Sequence, residues 1–273
     1  MTLTWVDGRP ANGLPIHDRG LAYGDGLFET ILVVGGQPAL LDRHLHRLEL
    51  GCQRLSIPCV LSDVRHQLGA FSGVLGEGVA KLIVSRGEGM RGYASPDPCQ
   101  PRVILLGAPA PSYPKVNAEL GVRLFPCMTR LAIQPALAGL KHLNRLEQVL
   151  ARAEWQDARF AEGLMRDTSG RVIEGVFSNL FMAKAGVLLT PSLERCGVSG
   201  VMRAEILAQA LESNIPTQEC DISLEQLRAA DEVFVCNSLY GIWPVRQLEQ
   251  RVWSVGSLTR KLQGSISYLL SST

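Results

Sequence analysis

The first third of the chain alternates between two spacings of apolar positions. Leu3–Val6 and Leu27–Val34 are short apolar runs that end at glycine-containing turns, a pattern that predicts strands. From Leu45 to Leu55 the apolar residues instead recur every three or four positions, which predicts one face of a helix. Asp42 stands where the side chain that caps this helix is expected. The pattern therefore predicts β-structure followed by an amphipathic helix.

Further elements complete the N-terminal part of the chain. A second helix is predicted after Ser62, and Lys81–Ser85 and Arg102–Gly107 return to strand character. Between these two strands lies Gly87–Pro101, a segment rich in glycine, proline and serine. Loops of that length are often functional, so this segment is a candidate part of a binding site.

Three prolines, at positions 109, 111 and 114, follow the last of these strands. Proline disfavours regular structure, and a cluster of prolines indicates a stiff connection between domains. We therefore predict a smaller N-terminal domain at residues 1–112, a linker at 113–119 and a larger C-terminal domain at 120–273.

The C-terminal part also mixes helices and strands. Short apolar runs separated by turns predict strands, and serines before apolar periodic segments predict helix starts. The predicted elements are strands at 120–126, 163–166, 172–174, 179–183, 187–190 and 231–236, and helices at 144–156, from Ser199 to 212, from Ser223 and at 256–270. The fold class is α+β, with two mixed domains and mostly antiparallel sheets.

Composition excludes several classes of partner. The formal net charge is +1, from 27 Lys and Arg against 26 Asp and Glu, so no excess of basic residues indicates nucleic acid or an anionic membrane. The apolar runs are far shorter than the roughly 20 residues of a membrane-spanning helix. The seven cysteines have no C-x-x-C spacing, so we predict reduced thiols and no metal site. Because the N-terminus also lacks the features of a secretory signal, we predict a cytoplasmic location.

Lys141 is the candidate catalytic amine. It lies just upstream of a predicted amphipathic helix that begins near Asn144. A lysine amine can condense with an aldehyde to form a Schiff base, and burial or a neighbouring cation frees it as a nucleophile and base. Pyridoxal phosphate chemistry requires such a lysine, together with an anion cradle and an acid beside the pyridine nitrogen. An ordinary solvated surface charge remains the alternative for Lys141 at this point.

The C-terminal part offers candidates for the acid and the cradle. Glu174 follows a short strand, where an inward carboxylate could meet the pyridinium nitrogen. Gly197 and Gly200 precede an apolar helix, whose unpaired first amides favour a phosphate. Ser238 follows another strand and could donate one more hydrogen bond to an anion. A strand-end glutamate, a helix cap and a polar turn are the respective structural alternatives.

Several segments, taken in order, resemble the fold type IV pyridoxal phosphate enzymes. That family includes branched-chain aminotransferases, D-amino acid aminotransferases and aminodeoxychorismate lyases. The resemblance covers nearly the whole chain and implies the D-amino acid aminotransferase-like fold. Its segments are residues 18–30, 44–48, 139–148, Glu174 with 178–181, 200–203 and 244–246.

The resemblance implies pyridoxal 5'-phosphate as cofactor and a role for individual residues. Lys141 matches the Schiff-base lysine, Glu174 the pyridinium partner and Arg47 the phosphate-binding arginine. The rest of the phosphate cup is matched by Val201, Met202 and Ser238. Met202 replaces a typical threonine, so only its backbone amide can be carried over. The resemblance also implies a homodimer with an active site at the domain boundary, near the subunit interface.

Two stretches, 141–149 and 85–93, resemble the aminodeoxychorismate lyases more narrowly. Branched-chain aminotransferases carry a tyrosine five residues beyond the lysine, where this chain has Leu146. The resemblance implies cleavage of 4-amino-4-deoxychorismate to 4-aminobenzoate and pyruvate, a step of folate biosynthesis, with Lys141 moving the proton. A D-amino or branched-chain aminotransferase and a non-catalytic homologue of the fold are the alternatives.

The implied substrate carries two carboxylates, so arginines should hold it. A guanidinium grips a carboxylate through paired hydrogen bonds. Arg91 and Arg86 flank the glycine-rich loop and are the first candidates. Tyr93, Tyr23 and Asn144 are further candidates for positioning the substrate.

Overall fold

The computed structural model describes residues 3–89 and 91–269, and they form two compact units. The first unit runs to Pro111 and also takes in Leu140–Asn144, whereas the second comprises Ser112–Gly139 and Arg145–Tyr268. The division differs from the predicted domains at two points: the predicted linker belongs to the second unit, and a short later segment belongs to the first. The domain boundaries at 112 and 120 therefore remain a prediction.

The first unit is an antiparallel sheet with helices. Its sheet has the strand order β2-β1-β6-β5-β3-β4, and every pairing is antiparallel. Its elements are β1 (Leu3–Val6), β2 (Arg9–Pro10), α1 (Arg19–Tyr23), β3 (Gly26–Val34), β4 (Gln37–Pro38), α2 (Leu41–Leu55), α3 (Leu61–Leu75), β5 (Gly78–Ser85) and β6 (Arg102–Ala108).

Strand β3 is the longest strand of this unit and lies next to the edge strand β4. It pairs with β5 from Gly26↔Ser85 to Val33↔Gly78, and helix α2 packs against it. The apolar face predicted for α2 is confirmed, because Leu45 and Leu48 are buried. Burying one such leucine contributes about 1.5–3 kcal/mol.

Both long helices of the first unit begin earlier than predicted. Helix α2 has Leu40 at its N-cap, and Asp42 lies inside the first turn, where its carboxylate accepts a 2.6 Å hydrogen bond from Arg65. Helix α3 begins at Leu61, just before the predicted start after Ser62. The predicted cap at Asp42 is wrong, and its side chain pairs with Arg65 instead.

The second unit contains a larger mixed sheet. Its elements are α4 (Lys115–Glu119), β7 (Val122–Leu131), α5 (Leu146–Ala153), β8 (Phe160–Asp167), β9 (Val172–Gly175), β10 (Asn179–Lys184), β11 (Val187–Pro191), α6 (Val201–Glu212), β12 (Thr217–Cys220), α7 (Leu224–Arg228), β13 (Glu232–Asn237), β14 (Gly241–Leu248), β15 (Arg251–Val252) and α8 (Ser257–Ile266). A short 3₁₀ helix follows at Ser267–Leu269.

The strand order in this sheet is β12-β11-β10-β13-β14-β7-β8-β9, with β15 added to β14. Strand β9 also meets β10 at Asn179↔Glu174, so the strands from β10 round to β9 close into a ring. Three pairings are parallel, β11–β12, β7–β14 and β7–β8, and the others are antiparallel. The predicted α+β class with mostly antiparallel sheets is therefore confirmed.

Three local predictions in the second unit are wrong. The expected lack of regular structure around Pro114 is wrong, because helix α4 follows it, and Pro114 at the N-cap has a φ of −59°, which suits a helix start. Helix α5 begins at Leu146 and not at Asn144, whose side chain donates a hydrogen bond elsewhere. Helix α6 is capped by Gly200, since the amide of Ser199 donates to Gly139.

One cap was predicted correctly, and one boundary cannot be compared. Ser223 caps α7 through a reciprocal pair of hydrogen bonds with Gln226. The predicted end of the terminal helix, at residue 270, lies outside the described residues. Within residues 3–89 and 91–269, no helix has the length and apolar character needed to cross a membrane.

Candidate active site

Lys141 lies on an extended segment that pairs with the beginning of β3. The amide of Phe28 donates to the carbonyl of Lys141 at 2.9 Å, and the amide of Leu143 donates to Gly26 at 3.0 Å. The Lys141 Nζ lies 4.3 Å from the centroid of the Phe28 ring. Backbone hydrogen bonds and a cation–π contact therefore hold this lysine in the first unit, which is unlike a freely solvated surface charge.

Arg47 belongs to a buried cluster on the same unit. Its Nε donates to Glu29 Oε1 at 2.8 Å, and its Nη2 donates to the other carboxylate oxygen. His44 Nδ1 lies 2.6 Å from Glu29 Oε2. Arg47 is thus held by two hydrogen bonds to one carboxylate, a geometry that fixes the plane of its guanidinium.

The surroundings of this cluster lower the pKa values of both Glu29 and His44. Burial alone would raise the pKa of Glu29, but the charge of Arg47 and hydrogen bonds from His44 and Arg47 outweigh it and lower that pKa to about 2. Burial lowers the pKa of His44, against the opposing effect of Glu29. The cluster therefore combines a carboxylate and a guanidinium with a neutral imidazole that donates from Nδ1.

Arg86, predicted to bind substrate, is buried at the root of the glycine-rich loop. Its Nε donates to Asp25 at 2.8 Å, and its Nη1 and Nη2 donate to the carbonyls of Ser56 and Leu55 at 2.9 and 2.7 Å. All three nitrogens thus donate inside the first unit, which gives Arg86 a structural role at the root of the loop. Its role in binding substrate stays a prediction.

The other predicted substrate residues lie near the loop or close to Lys141. Arg91 and Tyr93 are exposed, and the rings of Tyr93 and Tyr23 lie 5.5 Å apart between centroids. Asn144 Nδ2 donates to the carbonyl of Gly24 at 3.1 Å. The structure thus brings the two tyrosines together, while the substrate roles of these residues stay a prediction.

Glu174 lies on β9 in the second unit, with only 3% of its surface exposed. Its Oε2 accepts a hydrogen bond from the amide of Val198 at 2.8 Å and from Asn179 Nδ2 at 3.5 Å. Arg145 is half-buried; its partial burial lowers its pKa, and the charge of Glu174 opposes that effect. A buried carboxylate with such donors is the kind of acid that a protonated pyridine nitrogen requires.

The N-terminus of α6 lies in the same unit as Glu174. Its N-cap is Gly200, which has no side chain to occupy the first amides, those of Val201 and Met202 among them. A Cβ at Gly200 would lie 1.8 Å from Asn179 Oδ1, so only glycine fits. These amides and the positive end of a twelve-residue helix suit a phosphate group.

Ser238 lies in the turn after β13. Asn237 Oδ1 accepts hydrogen bonds from the amides of Leu239 and Tyr240 at 2.9 and 3.0 Å, which fixes this turn around Ser238. The residues of the second unit therefore fit two needs of pyridoxal phosphate, an acid and amide donors. Arg47 and Lys141, in the first unit, supply chemistry suited to the other needs, a cation and an amine.

The family model described as aminotransferase class IV matches residues 26–248. The chain belongs to the class IV aminotransferase family. The match begins at the first residue of β3 and ends at the last residue of β14, so it spans both units.

Class IV relatives match almost the whole chain. A Vibrio harveyi protein described as an aminodeoxychorismate lyase is 40% identical over 270 residues, which cover 96% of this chain and 99% of that protein. The crystal structure of a 4-amino-4-deoxychorismate lyase from Pseudomonas aeruginosa is 61% identical, with a TM-score of 0.96, and the match covers 97% of this chain and 98% of the other. The Escherichia coli branched-chain amino acid aminotransferase, 24% identical, shares the fold with a TM-score of 0.84 over 98% of this chain and 94% of the other. The predicted family and fold are confirmed.

Several buried charged residues of this class IV chain were not predicted as site residues. Glu29 is one, although a glutamate inside the apolar run Leu27–Val34 was a visible signal. Arg19 and Asp25 lie in the same family segment and also bond inside the first unit. Glu162 in the second unit had no such signal, because it stands at the edge of an ordinary strand pattern.

Proposed function

We propose that this chain is a pyridoxal phosphate-dependent lyase that converts 4-amino-4-deoxychorismate to 4-aminobenzoate and pyruvate, a step of folate biosynthesis. One observation carries the proposal: 61% identity over 97% of the chain to a structure described as 4-amino-4-deoxychorismate lyase. Leu146 supports it, because it stands where branched-chain aminotransferases carry a tyrosine.

Bound pyridoxal phosphate supplies an electron sink at the carbon that bears the substrate's amine. We assign Lys141 to three tasks: it anchors the cofactor, takes the proton from that carbon once the substrate amine has replaced it, and donates a proton to the departing enolpyruvyl oxygen. Its backbone contacts to β3 support the assignment, because they keep the root of the side chain fixed while the amine moves. Aromatisation of the ring makes the elimination favourable.

The cofactor-binding residues follow from charge and donor type. We assign Glu174 to the pyridine nitrogen, because it is a buried carboxylate. We assign Arg47 and Ser238 to the phosphate together with the amides of Val201 and Met202. The Glu29 contacts support this role for Arg47, because two of its nitrogens are already fixed and the guanidinium is held in one plane.

The two carboxylates of the substrate need cationic or hydrogen-bonding partners. We assign Arg91, which is exposed on the loop, to one of them. Tyr93, Tyr23 and Asn144 are assigned to positioning the substrate ring. Arg86 is left out of this set because its nitrogens all donate inside the first unit.

The test compares two lysines that share one aromatic partner. The Nζ atoms of Lys141 and Lys81 lie 4.3 and 5.2 Å from the Phe28 ring centroid. Pure protein with pyridoxal phosphate is incubated with 4-amino-4-deoxychorismate while 4-aminobenzoate formation is followed. Lys141→Ala should lose turnover by about 10⁴-fold or more and lose the visible absorbance of the lysine-bound cofactor, whereas Lys81→Ala should keep both.

A second arm separates elimination from amino transfer. The wild type is offered D-alanine or leucine with a keto acid, and transferred amine is measured. Amino transfer without any 4-aminobenzoate would overturn the lyase proposal while leaving a pyridoxal phosphate enzyme. No visible absorbance in the wild type after addition of the cofactor would favour a non-catalytic protein.

We further propose that the protein works in the cytoplasm as a homodimer. An exposed apolar face on α5 supports association: Leu146, Val149 and Leu150 are 75, 60 and 61% exposed. Sedimentation equilibrium should give twice the chain mass of 29.7 kDa. Leu150→Glu should shift the protein towards the monomer, and a wild type that sediments as a monomer contradicts the proposal.

A further inference from the structure

Arg19 is a buried arginine whose side chain binds the backbone of the glycine-rich loop. Only 4% of its surface is exposed. Its Nη1 donates to the carbonyls of Gly92 and Ala94 at 3.0 and 3.2 Å, and its Nη2 donates to that of Tyr93 at 3.1 Å. One guanidinium thus bonds three successive carbonyls more than seventy residues away in sequence.

Aromatic contacts join the same two segments. The guanidinium carbon of Arg19 lies 4.8 Å from the centroid of the Tyr23 ring, and the Tyr23 ring lies 5.5 Å from that of Tyr93. The Tyr23 hydroxyl accepts a 3.3 Å hydrogen bond from the amide of Gly92. Helix α1 therefore holds the loop through both side chains of a cation–π pair.

Backbone contacts fix the beginning of the loop against the same helix. The amide of Arg19 donates to Gly87 at 2.8 Å, and the amide of Gly89 donates to His17 at 3.2 Å. Arg19 Nε donates to Asp25 at 2.9 Å, and Asp25 also accepts from Arg86. The loop is therefore attached at its root and at residues 92–94, and Arg91 lies between the two attachments.

Burying a guanidinium is unfavourable unless its donors are satisfied, so the loop carbonyls and Arg19 depend on one another. A lysine at this position would keep the charge but not the planar set of donors that reaches several carbonyls at once. Backbone carbonyls are otherwise solvated in a loop rich in glycine and proline. The three carbonyls of residues 92–94 are thus held by this one side chain.

We propose that Arg19 is a positioning residue, which shapes residues 91–94 so that Arg91 and Tyr93 can receive an anionic substrate. Arg19 itself donates its hydrogen bonds within the protein and acts through these two neighbours. The inference rests on the proposed function for the identity of the substrate, a dicarboxylate, but the attachment of the loop can be tested without it.

Limited trypsin digestion measures the attachment directly, because trypsin can cut the bond between Arg91 and Gly92. In the holoenzyme, Arg19→Lys and Arg19→Met should speed cleavage at this bond by about tenfold or more, since each weakens the attachment by at least about 1.4 kcal/mol. Cleavage is scored by mass spectrometry of the two fragments. Arg65→Lys is the matched control, because it changes an exposed arginine on α3 and should leave the cleavage rate unchanged.

Steady-state kinetics supply the second readout. Arg19→Lys should raise the KM for 4-amino-4-deoxychorismate by about tenfold and keep kcat within about threefold of the wild type. The substitution changes the geometry of substrate binding but not Lys141 or the cofactor. The visible absorbance and the affinity for pyridoxal phosphate should match the wild type. Tyr23→Phe, which removes the hydroxyl acceptor for the Gly92 amide, should speed cleavage after Arg91 by a smaller factor.

Two results would overturn the proposal. One is that Arg19→Lys and Arg19→Met show wild-type cleavage at Arg91 and wild-type KM. The other is that both Arg19 variants fail to fold or bind pyridoxal phosphate more weakly, while Tyr23→Phe leaves the loop unchanged. Arg19 would then stabilise the first unit as a whole and would not position the loop. If the wild type makes no 4-aminobenzoate, the proposed function fails, and the digestion still decides the role of Arg19 in holding the loop.

Discussion

Glu29 and Glu162 are both buried, yet their pKa values shift in opposite directions from that of an ordinary glutamate. The pKa of Glu29 is lowered to about 2, and that of Glu162 is raised to about 7. For both, burial is the largest effect and raises the pKa. Glu29 is paired with the Arg47 guanidinium and hydrogen bonded by His44, whereas Glu162 accepts hydrogen bonds only from neutral groups, Ser178 and three backbone amides.

The comparison shows that hydrogen bonds from neutral donors do not replace a cation in this protein. Four donors around Glu162 reduce the effect of burial without cancelling it, while one bidentate arginine and one imidazole reverse it for Glu29. Glu162 also faces Tyr113 and Tyr240, whose own pKa values are raised chiefly by burial. The first unit thus contains a charged centre, and the second contains an acid that titrates near neutral pH.

The opposite shifts give opposite contributions to stability. Each carboxyl departs from its ordinary pKa of 4.5 by an amount worth about 3 kcal/mol. The lowered pKa of Glu29 stabilises the fold above pH 4.5, and this contribution is lost as the pH falls towards 2. The raised pKa of Glu162 destabilises the fold above about pH 7, and this effect disappears as the pH falls towards 4.5.

The largest effect is expected for Glu29→Gln. Removing the carboxylate takes the negative charge of Glu29 away from Arg47, whose side chain is only 13% exposed. The free energy of unfolding at pH 7 should fall by about 3–5 kcal/mol. Urea denaturation measures it, and the gap to the wild type should narrow below pH 4.5, because the unfolded wild-type chain takes up a proton on Glu29 there while the folded protein does not. An unchanged stability at pH 7 would show that the charge of Glu29 does not stabilise the fold.

Glu162→Gln should instead raise the free energy of unfolding relative to the wild type, and only above about pH 4.5. The folded wild type holds a proton on Glu162 between pH 4.5 and 7 that the unfolded chain has released, so its stability falls as the pH rises through this window. The stability of the variant minus that of the wild type should grow by about 3 kcal/mol between pH 4.5 and 8. A difference that stays flat across this range would mean that Glu162 ionises like an ordinary glutamate.

Ser178→Ala tests the neutral donors themselves. Ser178 Oγ donates to Glu162 Oε2 at 2.7 Å, and this hydrogen bond favours the ionised form. At pH 8 the variant should lose about 1.5–3 kcal/mol of stability, and the pKa of Glu162 should rise above 7. At pH 5 the loss should be smaller, because the carboxyl is protonated there. Equal losses at both pH values would show that the hydroxyl packs without acting on the charge.

The smallest effect is expected for Asp42→Asn, the surface counterpart of Glu29. Asp42 also pairs with an arginine, Arg65, at 2.6 Å, but the side chains are 88 and 50% exposed. Water screens such pairs, so the stability should change by less than about 1 kcal/mol in the same urea titration. A loss as large as that of Glu29→Gln would show that burial is not what separates the two pairs.

Local sequence signals predicted some elements well. The cap of α7 was predicted from Ser223, and the apolar face of α2 from the spacing of its leucines, because both depend on residues within one or two turns. The starts of α2 and α5 were wrong because Asp42 and Asn144 bond to residues distant in sequence. Strand β14, which contains Pro244, was not predicted at all, although it pairs with β7 and β13 inside the second sheet.

The site shows the same limit. Lys141 and Glu174 were candidates from the residues alone, and the family resemblance, which preserves the order of short motifs, matched their roles and added Arg47. The partners of Arg47 and Arg86 depend on which segments meet in three dimensions, so their hydrogen bonds could not be predicted from spacing. Arg19 was visible in a family segment, but nothing in the sequence indicated that its acceptors lie in a loop around residue 93.

The segment that carries Lys141 has a consequence for synthesis on the ribosome. Gly26 and Phe28 emerge early, but their backbone partners, Leu143 and Lys141, are translated more than a hundred residues later. The N-terminal unit can therefore collapse around β3 before its last edge contacts exist, and only the nascent chain that has passed Asn144 can close them. The amine proposed to do the chemistry is then among the last pieces that the N-terminal unit acquires as the protein is made.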